Sequence, residues 1–386
     1  MNSLFSDISN FEYRNEYCNK YLLNDAETSE YIMSHEFEKD IEFICLGKQI
    51  IEAPILKLSN KVGGRYRKIY HFNVQNLSLL KIIAHALNER YDYIFSDNLY
   101  SYRKNFSVKK VCKKIVNTKG IDDMYCYKVD ASSYDQHISG DILKTIISST
   151  IDDKNVVKFL FQILDFKKYI YEGREYNDGP AVMTGNPLTP FFDNLYLIDY
   201  DDEMRKKAKI YYRYSDDIIM YGTLPQMQEC ASYTKEVFNK KGLIFNETKT
   251  NIYKPKETVR YLSLELSGSK IDFSKQYINN IRRLVKRKTH SFLKIKRQYG
   301  LSDELTMKCA LKFIESNYGF FIKLFPIVNT TNGIAKIDRI LQDAIRTVGT
   351  SKFSNGRYRI KYGQLKKLGY KTLVSEYYSF KWAKHE

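Results

Sequence analysis

Three aspartates, in two segments of the chain, have the types and spacing of ligands for divalent cations. Asp130 ends the strand-like run YCYKVD, and Asp216 and Asp217 lie at the tight turn of IYYRYSDDIIMYG. Mg²⁺ prefers such hard oxygen ligands and keeps several waters, so two or three carboxylates suffice. Two Mg²⁺ ions about 4 Å apart stabilise the attacking and leaving oxygens of phosphoryl transfer. The alternative explanation for the adjacent acids is an ordinary turn, because Asp favours turns.

The elements around these acids predict an α+β fold. Residues 1–60 have the pattern of a mostly helical leader, and Gly63 and Gly64 are predicted to break the chain after it. Apolar residues at alternating spacings of three and four predict a helix over about 77–91. IYYRYSDDIIMYG predicts two strands joined by a turn at Ser215–Asp216. The order of elements predicts a sheet layer backed by helices, followed by an α-helical lobe.

Composition favours a polyanionic partner. Lys and Arg number 62 against 45 Asp and Glu, a formal charge of +17. Such a surplus favours nucleic acid, because many weak phosphate contacts add up and release counterions. A Lys-rich soluble protein is the alternative. The six cysteines have no metal-binding spacing and are interpreted as reduced, which fits the cytoplasm. No apolar run approaches the ~20 residues that cross a bilayer, so no membrane partner is expected.

One segment concentrates the positive charge. IRRLVKRKTHSFLKIKRQY, residues 281–299, carries eight Lys or Arg and no acid. On a helix, Ile281, Leu284, Val285, Phe292 and Ile295 are predicted to face the core, and the outward residues are predicted to follow nucleic-acid phosphates without reading sequence. A solvated helix face is the alternative. The outward residues are Arg282, Arg283, Lys286, Arg287 and Lys294.

YSDD (Tyr214 to Asp217) resembles the YxDD signature of reverse transcriptases, and six further segments resemble that family's motifs in the family's order. They are GRYRKIYHF (64–72) and SDNLYSYRKNFS (96–107) in the fingers, VDASSYDQHI (129–138, motif A), TGNPLTPFFDNLYL (184–197, motif B), KGLIFNETKTNIY (241–253, motif D) and VRYLSLEL (259–266, primer grip). GQLKKLGYKTLVSEYY (363–378) is similar to the thumb end of prokaryotic abortive-infection and defence-associated reverse transcriptases. The chain as a whole resembles these or the retron-like members of the family.

This resemblance implies a right-hand polymerase with fingers, an RRM-like antiparallel palm sheet backed by helices, and an α-helical thumb. The implied domains are a helical extension over 1–60, fingers and palm over 61–270, and a basic thumb and C-terminal region over 271–386. It implies two Mg²⁺ ions, with Mn²⁺ as a substitute, held by Asp130, Asp216 and Asp217.

The same resemblance implies roles for further residues. Arg67 and Arg103 would contact the incoming triphosphate, since a guanidinium fork suits phosphate geometry. Lys249 occupies the position of a motif-D lysine that protonates the leaving pyrophosphate. Gly185 and Pro187 would shape the loop under the template base and nucleotide sugar. Tyr214 is expected to pack beneath the active site or near the primer end, and Tyr261 and Leu262 are expected to grip the primer backbone. Each role has an alternative. It is a solvated loop charge for the two arginines, a surface position for Lys249, a helix-entry turn for Gly185 and Pro187, and a buried strand for Tyr261 and Leu262.

Two positions depart from the family pattern. Reverse transcriptases generally place Phe or Tyr five residues after the first motif-A Asp, to clash with a ribose 2′-hydroxyl. Here Asp135 stands there, with Tyr134 one place early, and Thr184 replaces the common Gln before Gly185. The Asp130–Asp135 spacing resembles that of viral RNA-dependent RNA polymerases; an acid in the first turn of a helix explains Asp135 equally well. The hypothesis is that sugar discrimination is relaxed, or is achieved differently by Tyr134.

The leading prediction is an RNA-directed DNA polymerase in a bacterial anti-phage defence system. Its expected partners are a structured non-coding RNA as template, dNTPs and a DNA product. Untemplated or protein-primed synthesis is a second enzymatic hypothesis, in which a Tyr hydroxyl is the primer. An inactive nucleic-acid-binding scaffold is the third, and it gives no reason to keep all three acids.

Overall fold

A computed structural model describes residues 3–48, 50–60, 66–317 and 326–382. Contacts divide the chain into two compact units, one formed by Met1–Ser107 and Tyr125–Ile252, the other by Val108–Met124 and Tyr253–Glu386. The domain boundaries implied by the resemblance remain a prediction. Gly63 and Gly64 lie outside the described residues.

The leader is helical up to residue 45, as predicted, because polar residues cap short amphipathic segments. The side chains of Asn10, Asp25 and Ser34 each accept a backbone N–H in the first turn of the helix that follows. Phe5, Ile32 and other inward residues of these helices belong to the main core of the first unit. The helices are α1 (Leu4–Ser9), α2 (Phe11–Tyr21), α3 (Ala26–Ile32) and α4 (His35–Cys45).

A four-stranded sheet of the first unit carries Arg67. Its order is β2–β1–β4–β5, where β1 pairs antiparallel with β2 and parallel with β4. The strands are β1 (Ile55–Asn60), β2 (Tyr66–His71), β4 (Tyr169–Tyr171) and β5 (Arg174–Tyr176). The helix over Lys154–Asp165 ends where the chain turns into the β4–β5 hairpin. The helix predicted over about 77–91 is confirmed as α5 (Val74–Tyr91).

The sheet that carries the three aspartates has the strand order β6–β7–β3–β8. Its strands are β3 (Tyr125–Asp130), β6 (Ile210–Tyr214), β7 (Asp217–Gly222) and β8 (Asn251–Tyr253). In chain order this is the β-α-β-β-α-β arrangement with the strand order 4-1-3-2 of an RRM-like sheet. The α+β prediction is confirmed.

The helices connected to this sheet bury its apolar side chains. Leu143, Phe192, Tyr200 and Phe238 lie in the same core as Val129, Ile218 and Met220 of the strands. The NPLTPFFDNLYLIDYDDEM segment forms two helices, which meet at Leu197. The helices of this part are α7 (Tyr134–His137), α8 (Gly140–Thr150), α9 (Lys154–Asp165), α10 (Thr189–Tyr196), α11 (Ile198–Lys207) and α12 (Leu224–Lys240).

The second unit combines an antiparallel meander with helices. Strands β9 (Val259–Tyr261), β10 (Leu264–Ser267) and β11 (Lys270–Phe273) pair in sequence. Leu293, Ala310 and Val348 form a small core between its long helices. The helices are α6 (Val108–Val116), α13 (Lys275–Tyr299), α14 (Asp303–Ser316), α15 (Asn332–Thr350), α16 (Tyr362–Lys367) and α17 (Leu373–Trp382), with short 3₁₀ turns at Ile121–Asp123 and Asn355–Arg359. A further 3₁₀ turn, Asp92–Ile94, belongs to the first unit.

Two expectations about the whole chain can be compared with the structure. All six cysteines are free thiols, as expected. Among the described residues, no helix combines the length and apolar character needed to span a bilayer.

Candidate active site

The three predicted acids meet at one end of the aspartate-bearing sheet. Asp130, the last residue of β3, pairs directly with Asp217, the first residue of β7. Asp216 lies in the two-residue turn of the β6–β7 hairpin, immediately before Asp217. The other residue of the turn, Ser215, has a φ of 56°. Directly opposed residues of antiparallel strands place their Cβ atoms about 5 Å apart on the same face. The predicted convergence of residues 87 positions apart is therefore present in the fold.

A buried ion pair holds the hairpin that carries two of these acids. The Arg213 guanidinium is fully buried and donates to both Asp201 oxygens, at 2.7 and 2.6 Å. The same group donates to the Ser215 carbonyl at 3.2 Å, and to the carbonyls of Asp193 and Asn194. The nearby Asp201 carboxylate raises the pKa of Arg213 despite its burial. Arg213 thus holds the turn in place, because its N–H groups donate both to Asp201 of helix α11 and to the Ser215 carbonyl of the turn.

Two lysines neutralise the acidic cluster. Lys128, two residues before Asp130 on the same face of β3, is buried and forms an ion pair with Asp217. Lys249 donates to both Asp130 oxygens at 3.0 and 2.9 Å, and Asn246 donates to one of them at 3.0 Å. The predicted motif-D lysine is thus brought to Asp130. Sequence reasoning missed Lys128, although its alternation with Asp130 in a strand was a usable signal.

The cluster has the electrostatics of a cation site. Burial, and then the charges of Asp217 and Asp130, raise the pKa of Asp216 to about 6. Burial also raises the pKa of Asp217, and the Lys128 ammonium opposes that rise. Among the residues that the structure describes, no three Asp, Glu, His or Cys side chains are grouped as a ready-made metal cage. The carboxylate donors and their mutual repulsion fit divalent cations, which would share Asp130 and Asp217 with the lysines.

Three of the predicted substrate residues form one contact group beside these acids. Thr184 Oγ1 donates to Asp135 Oδ2 at 2.7 Å, and Arg67 Nη2 lies 3.5 Å from the same oxygen. Asp135 belongs to α7, which begins four residues after Asp130. Its negative charge is one of the causes that raise the pKa of Asp216. The structure therefore brings Arg67, Asp135 and Thr184 together next to the predicted metal ligands.

Gly185 permits a close approach between the motif-B loop and β2. Its φ is 111°, and a Cβ on this residue would lie 2.4 Å from the Tyr70 carbonyl oxygen. The Tyr70 N–H donates to the Thr184 carbonyl at 2.8 Å, which fastens the loop to the strand. The backbone that approaches Gly185 in this structure is that of Tyr70. Pro187 lies in the turn that leads into α10, partly buried, in agreement with the helix-entry alternative.

Arg103 has a different environment from the one that its predicted role requires. Its Nε and Nη2 donate to the Asp92 carboxylate at 2.7 and 3.0 Å. Its remaining N–H groups donate to the carbonyls of Ser96, Leu99 and Asp92. A guanidinium has five N–H donors, and all of them are used here. Arg103 therefore braces its own loop, and a contact with a triphosphate would require this brace to open.

Tyr134 is also placed away from the role of a sugar gate. The ring is buried, and its hydroxyl donates to the Asp193 carbonyl at 2.9 Å. Burial raises the pKa of this phenol well above its ordinary value. Its partner residue Asp193 is itself buried beside Ser215, and burial and the charges of Asp135 and Asp216 raise the pKa of that carboxyl. A side chain committed to this layer cannot test the sugar of a nucleotide.

Tyr214 lies at the exposed edge of the hairpin, next to an aromatic that sequence reasoning did not select. The rings of Tyr214 and Tyr102 are 5.9 Å apart. Tyr102 is 48% exposed and has a φ of 58°, which is unusual for a bulky residue. Burial and the charge of Asp193 raise the pKa of its phenol to about 12.

Residues 59–266, just over half of the 386, match the reverse transcriptase (RNA-dependent DNA polymerase) family. The chain belongs to the reverse transcriptase family. No curated protein matches the chain significantly. The family match includes the strands of the aspartate-bearing sheet, which is accordingly the palm sheet of a reverse transcriptase.

Solved structures with similar folds include three of yeast telomerase. Apo telomerase from Candida tropicalis truncated from its C-terminal domain is 13% identical, with a TM-score of 0.46 over 58% of this chain and 56% of that one. Telomerase from Candida albicans in complex with a TWJ fragment of telomeric RNA is 11% identical, with a TM-score of 0.46 over 89% and 71%. Apo telomerase from Candida tropicalis is 10% identical, with a TM-score of 0.49 over 84% and 69%. This reverse transcriptase thus spans little more than half of the first of these chains.

The predicted primer-grip residues belong to the second unit. Tyr261 is fully buried in β9, so its ring is part of the core, as the buried-strand alternative has it. Leu262 forms the tight turn between β9 and β10 with a φ of 54°. Of the two, only Leu262 is partly exposed. A primer contact at this hairpin therefore rests with the backbone of the turn rather than with the tyrosine ring.

The basic helix is α13, as predicted, and Gly300 ends it with a φ of 60°. Its buried face consists of Ile278, Ile281, Val285, Thr289 and Leu293, whereas Ile295, predicted to face the core, is 43% exposed. The predicted outward residues are all exposed, and none forms an ion pair with an acid within the described ranges. We call the following set the basic face: Arg282, Arg283, Lys286, Arg287 and Lys294.

Proposed function

We propose that this reverse transcriptase is an active RNA-directed DNA polymerase that extends a 3′ end, with Asp130, Asp216 and Asp217 as ligands of two Mg²⁺ ions. The observation that carries the proposal is the direct pairing of Asp130 with Asp217, beside Asp216, at the open end of the palm sheet. An inactive scaffold gives no reason to concentrate buried carboxylates whose charges repel one another.

The chain's own residues have distinct parts in the proposed reaction. When bound, the two ions activate the attacking hydroxyl and neutralise charge that develops on the phosphates. Arg213 and Asp201 hold the hairpin in place, so that Asp216 and Asp217 need not reorganise. Arg67, half exposed beside Asp135, is free to turn toward the triphosphate as a bidentate donor. Lys249 is 48% exposed and adjacent to Asp130, which suits a residue that donates a proton to the leaving pyrophosphate.

The biological setting is a separate proposal. The tail segment over residues 363–378 resembles the thumb end of prokaryotic defence-associated reverse transcriptases, and in the structure it comprises most of α16, the positive-φ turn at Gly369 and the first part of α17. We propose that the enzyme acts in a bacterial anti-phage defence system in the cytoplasm, with a structured non-coding RNA as template. Protein-primed or untemplated synthesis remains the second enzymatic hypothesis.

One experiment tests the polymerase proposal and its setting together. Wild type and the Asp216→Ala/Asp217→Ala variant are purified from cells, their nucleic acids are sequenced, and extension of oligo(dT) on poly(rA) is measured with dTTP and Mg²⁺. We expect complementary DNA and extension with wild type only. The matched control is Asp202→Ala/Glu203→Ala, two adjacent acids in exposed ion pairs of α11. Equal DNA yields from both variants would contradict the proposal.

A further inference from the structure

We propose that Asp135 recognises the 2′-hydroxyl of the incoming nucleotide, so that ribonucleoside triphosphates are substrates of this site beside deoxyribonucleoside triphosphates. This inference rests on the proposed polymerase function and names the substrate class of that site. It concerns a carboxylate that has no part in holding the catalytic ions.

One carboxylate oxygen of Asp135 is hydrogen-bonded to neighbouring side chains, and the other is available as an acceptor. Oδ2 accepts the Thr184 hydroxyl at 2.7 Å and lies 3.5 Å from Arg67 Nη2. Oδ1 has no partner in the described part of the chain, and the side chain retains 16% exposure. Two donors on one oxygen fix the direction of the carboxylate without consuming its second acceptor. The result is a preorganised acceptor that suits a hydroxyl donor.

The Thr184 hydroxyl, which tethers Asp135, is itself held in a fixed position by the backbone of its loop. It belongs to the loop that Gly185 brings against β2, where the Thr184 carbonyl accepts the Tyr70 N–H at 2.8 Å. The hydroxyl that holds Asp135 is thus anchored to the strand that also carries Arg67. The same contact group contains Arg67, which is predicted to bind the triphosphate of the nucleotide. Because Asp135 contacts Arg67 and its charge acts on Asp216, a sugar between the triphosphate and the three aspartates is expected within reach of Asp135.

No aromatic side chain from motif A takes the place of Asp135. Tyr134, the adjacent aromatic, is buried and its hydroxyl is bonded to the Asp193 carbonyl. Tyr102 is the rival candidate for a steric barrier, because it is 48% exposed beside Tyr214. Its ring is packed against the hairpin tyrosine, whereas Asp135 lies with the residues expected at the nucleotide. The experiment below separates these two residues.

The chemistry of a carboxylate explains the expected selectivity. A ribose 2′-hydroxyl donates to the open oxygen, and a deoxyribose leaves that oxygen to water. Because Asp135 is partly exposed, water can compensate and deoxyribonucleotides are not rejected as strongly as they are from a fully buried polar site. A phenyl ring at this position, in contrast, excludes the hydroxyl by its volume. Both sugars are therefore accepted by the wild-type site.

The test compares one base with two sugars. Extension of oligo(dG) on poly(rC) is measured with dGTP or GTP and Mg²⁺, and the ratio of kcat/KM for dGTP over GTP is determined. We expect a wild-type ratio within about tenfold of unity, and an increase of about 100-fold for Asp135→Phe. Thr184→Val, which removes the tether, is expected to lower GTP use several-fold with little change for dGTP. Asp141→Asn, an exposed acid in α8, is the matched control and leaves the ratio unchanged.

Several outcomes overturn the inference. A wild-type ratio above about 1,000 that Asp135→Phe does not change removes Asp135 from sugar recognition. A large gain in GTP use by Tyr102→Ala alone assigns discrimination to Tyr102. If no variant extends this template–primer, binding of GTP and dGTP is measured by calorimetry: selective weakening of GTP in Asp135→Ala supports the inference even though the polymerase proposal fails. Equal weakening of both nucleotides overturns it.

Discussion

At the residue scale, the two lysines of the acidic cluster occupy different surroundings. Lys128 is 5% exposed and its partner Asp217 is 16% exposed, so the pair is largely desolvated. Lys249 is 48% exposed, and its pair with Asp130 is in contact with water. Breaking a buried pair leaves an uncompensated charge, whereas an exposed pair contributes little. The two lysines therefore differ in what they contribute to the stability of the free protein.

We expect Lys128→Met to lower the free energy of unfolding by about 3 kcal/mol in the presence of EDTA, since Asp217 loses its counter-charge. Lys249→Met is the matched control and is expected to cost under about 1 kcal/mol. Urea denaturation measures both. The double variant Lys128→Met/Asp217→Asn recovers most of the loss. If Lys128→Met were as stable as wild type, Lys128 would not hold Asp217 in solution.

At the element scale, the motif-B loop is positioned by backbone contact with β2. Gly185 combines a φ of 111° with a Tyr70 carbonyl oxygen only 2.4 Å from the position of a Cβ. Gly173, at the tip of the β4–β5 hairpin, also has a positive φ of 75° but has open space around it. Substituting each glycine in turn therefore distinguishes the cost of a positive φ from the cost of a steric clash.

Gly185→Ala is expected to cost about 3 kcal/mol of stability, because it adds a clash to an unfavourable φ. Gly173→Ala carries only the conformational cost, about 1 kcal/mol. Thermal unfolding of the two variants measures the difference. We also expect Gly185→Ala to lower nucleotide incorporation, because Thr184 moves with the loop. Equal costs for the two variants would show that the β2 contact is not formed.

Sequence patterns predicted the elements whose periodicity or turn chemistry is strong. The β6–β7 hairpin, α5 and the acid-free α13 lie where they were expected, because tertiary packing agrees with local preference there. The role of Arg103 was not predictable, because its Asp92 partner lies 11 residues away and only the fold of the loop brings them together. The burial of Tyr134 depends likewise on Asp193, 59 residues later. Local patterns do not contain such pairings.

At the scale of the whole molecule, positive charge is concentrated as well as abundant. The chain has a formal charge of +17, and α13 adds the basic face without acidic partners within the described ranges. Other lysines are paired with glutamates, among them Lys168, Lys206, Lys207, Lys240 and Lys308. A phosphate contact requires a cation that is not already neutralised, so the basic face is the expected site of duplex binding.

Replacing all five residues of the basic face by Gln is expected to reduce the salt dependence of duplex binding. Each lost phosphate contact lowers the slope of log K against log salt by up to about 0.9, so the total change is about 4. The control replaces the five glutamate-paired lysines by Gln, which changes the net charge equally. Fluorescence anisotropy with a labelled RNA–DNA duplex measures both. Equal slopes in the two variants would show that net charge, and not the basic face, determines binding.

The proposed polymerase activity depends on the three palm aspartates acting together as ligands of divalent cations. Anomalous diffraction from crystals that are soaked in Mn²⁺ tests this directly, because manganese scatters anomalously and substitutes for Mg²⁺ at oxygen sites. We expect anomalous density in contact with Asp130 and the Asp216–Asp217 hairpin, and its loss in Asp130→Asn crystals. Manganese bound elsewhere, with Asp217 and Asp130 still in their ion pairs with Lys128 and Lys249, would contradict this role.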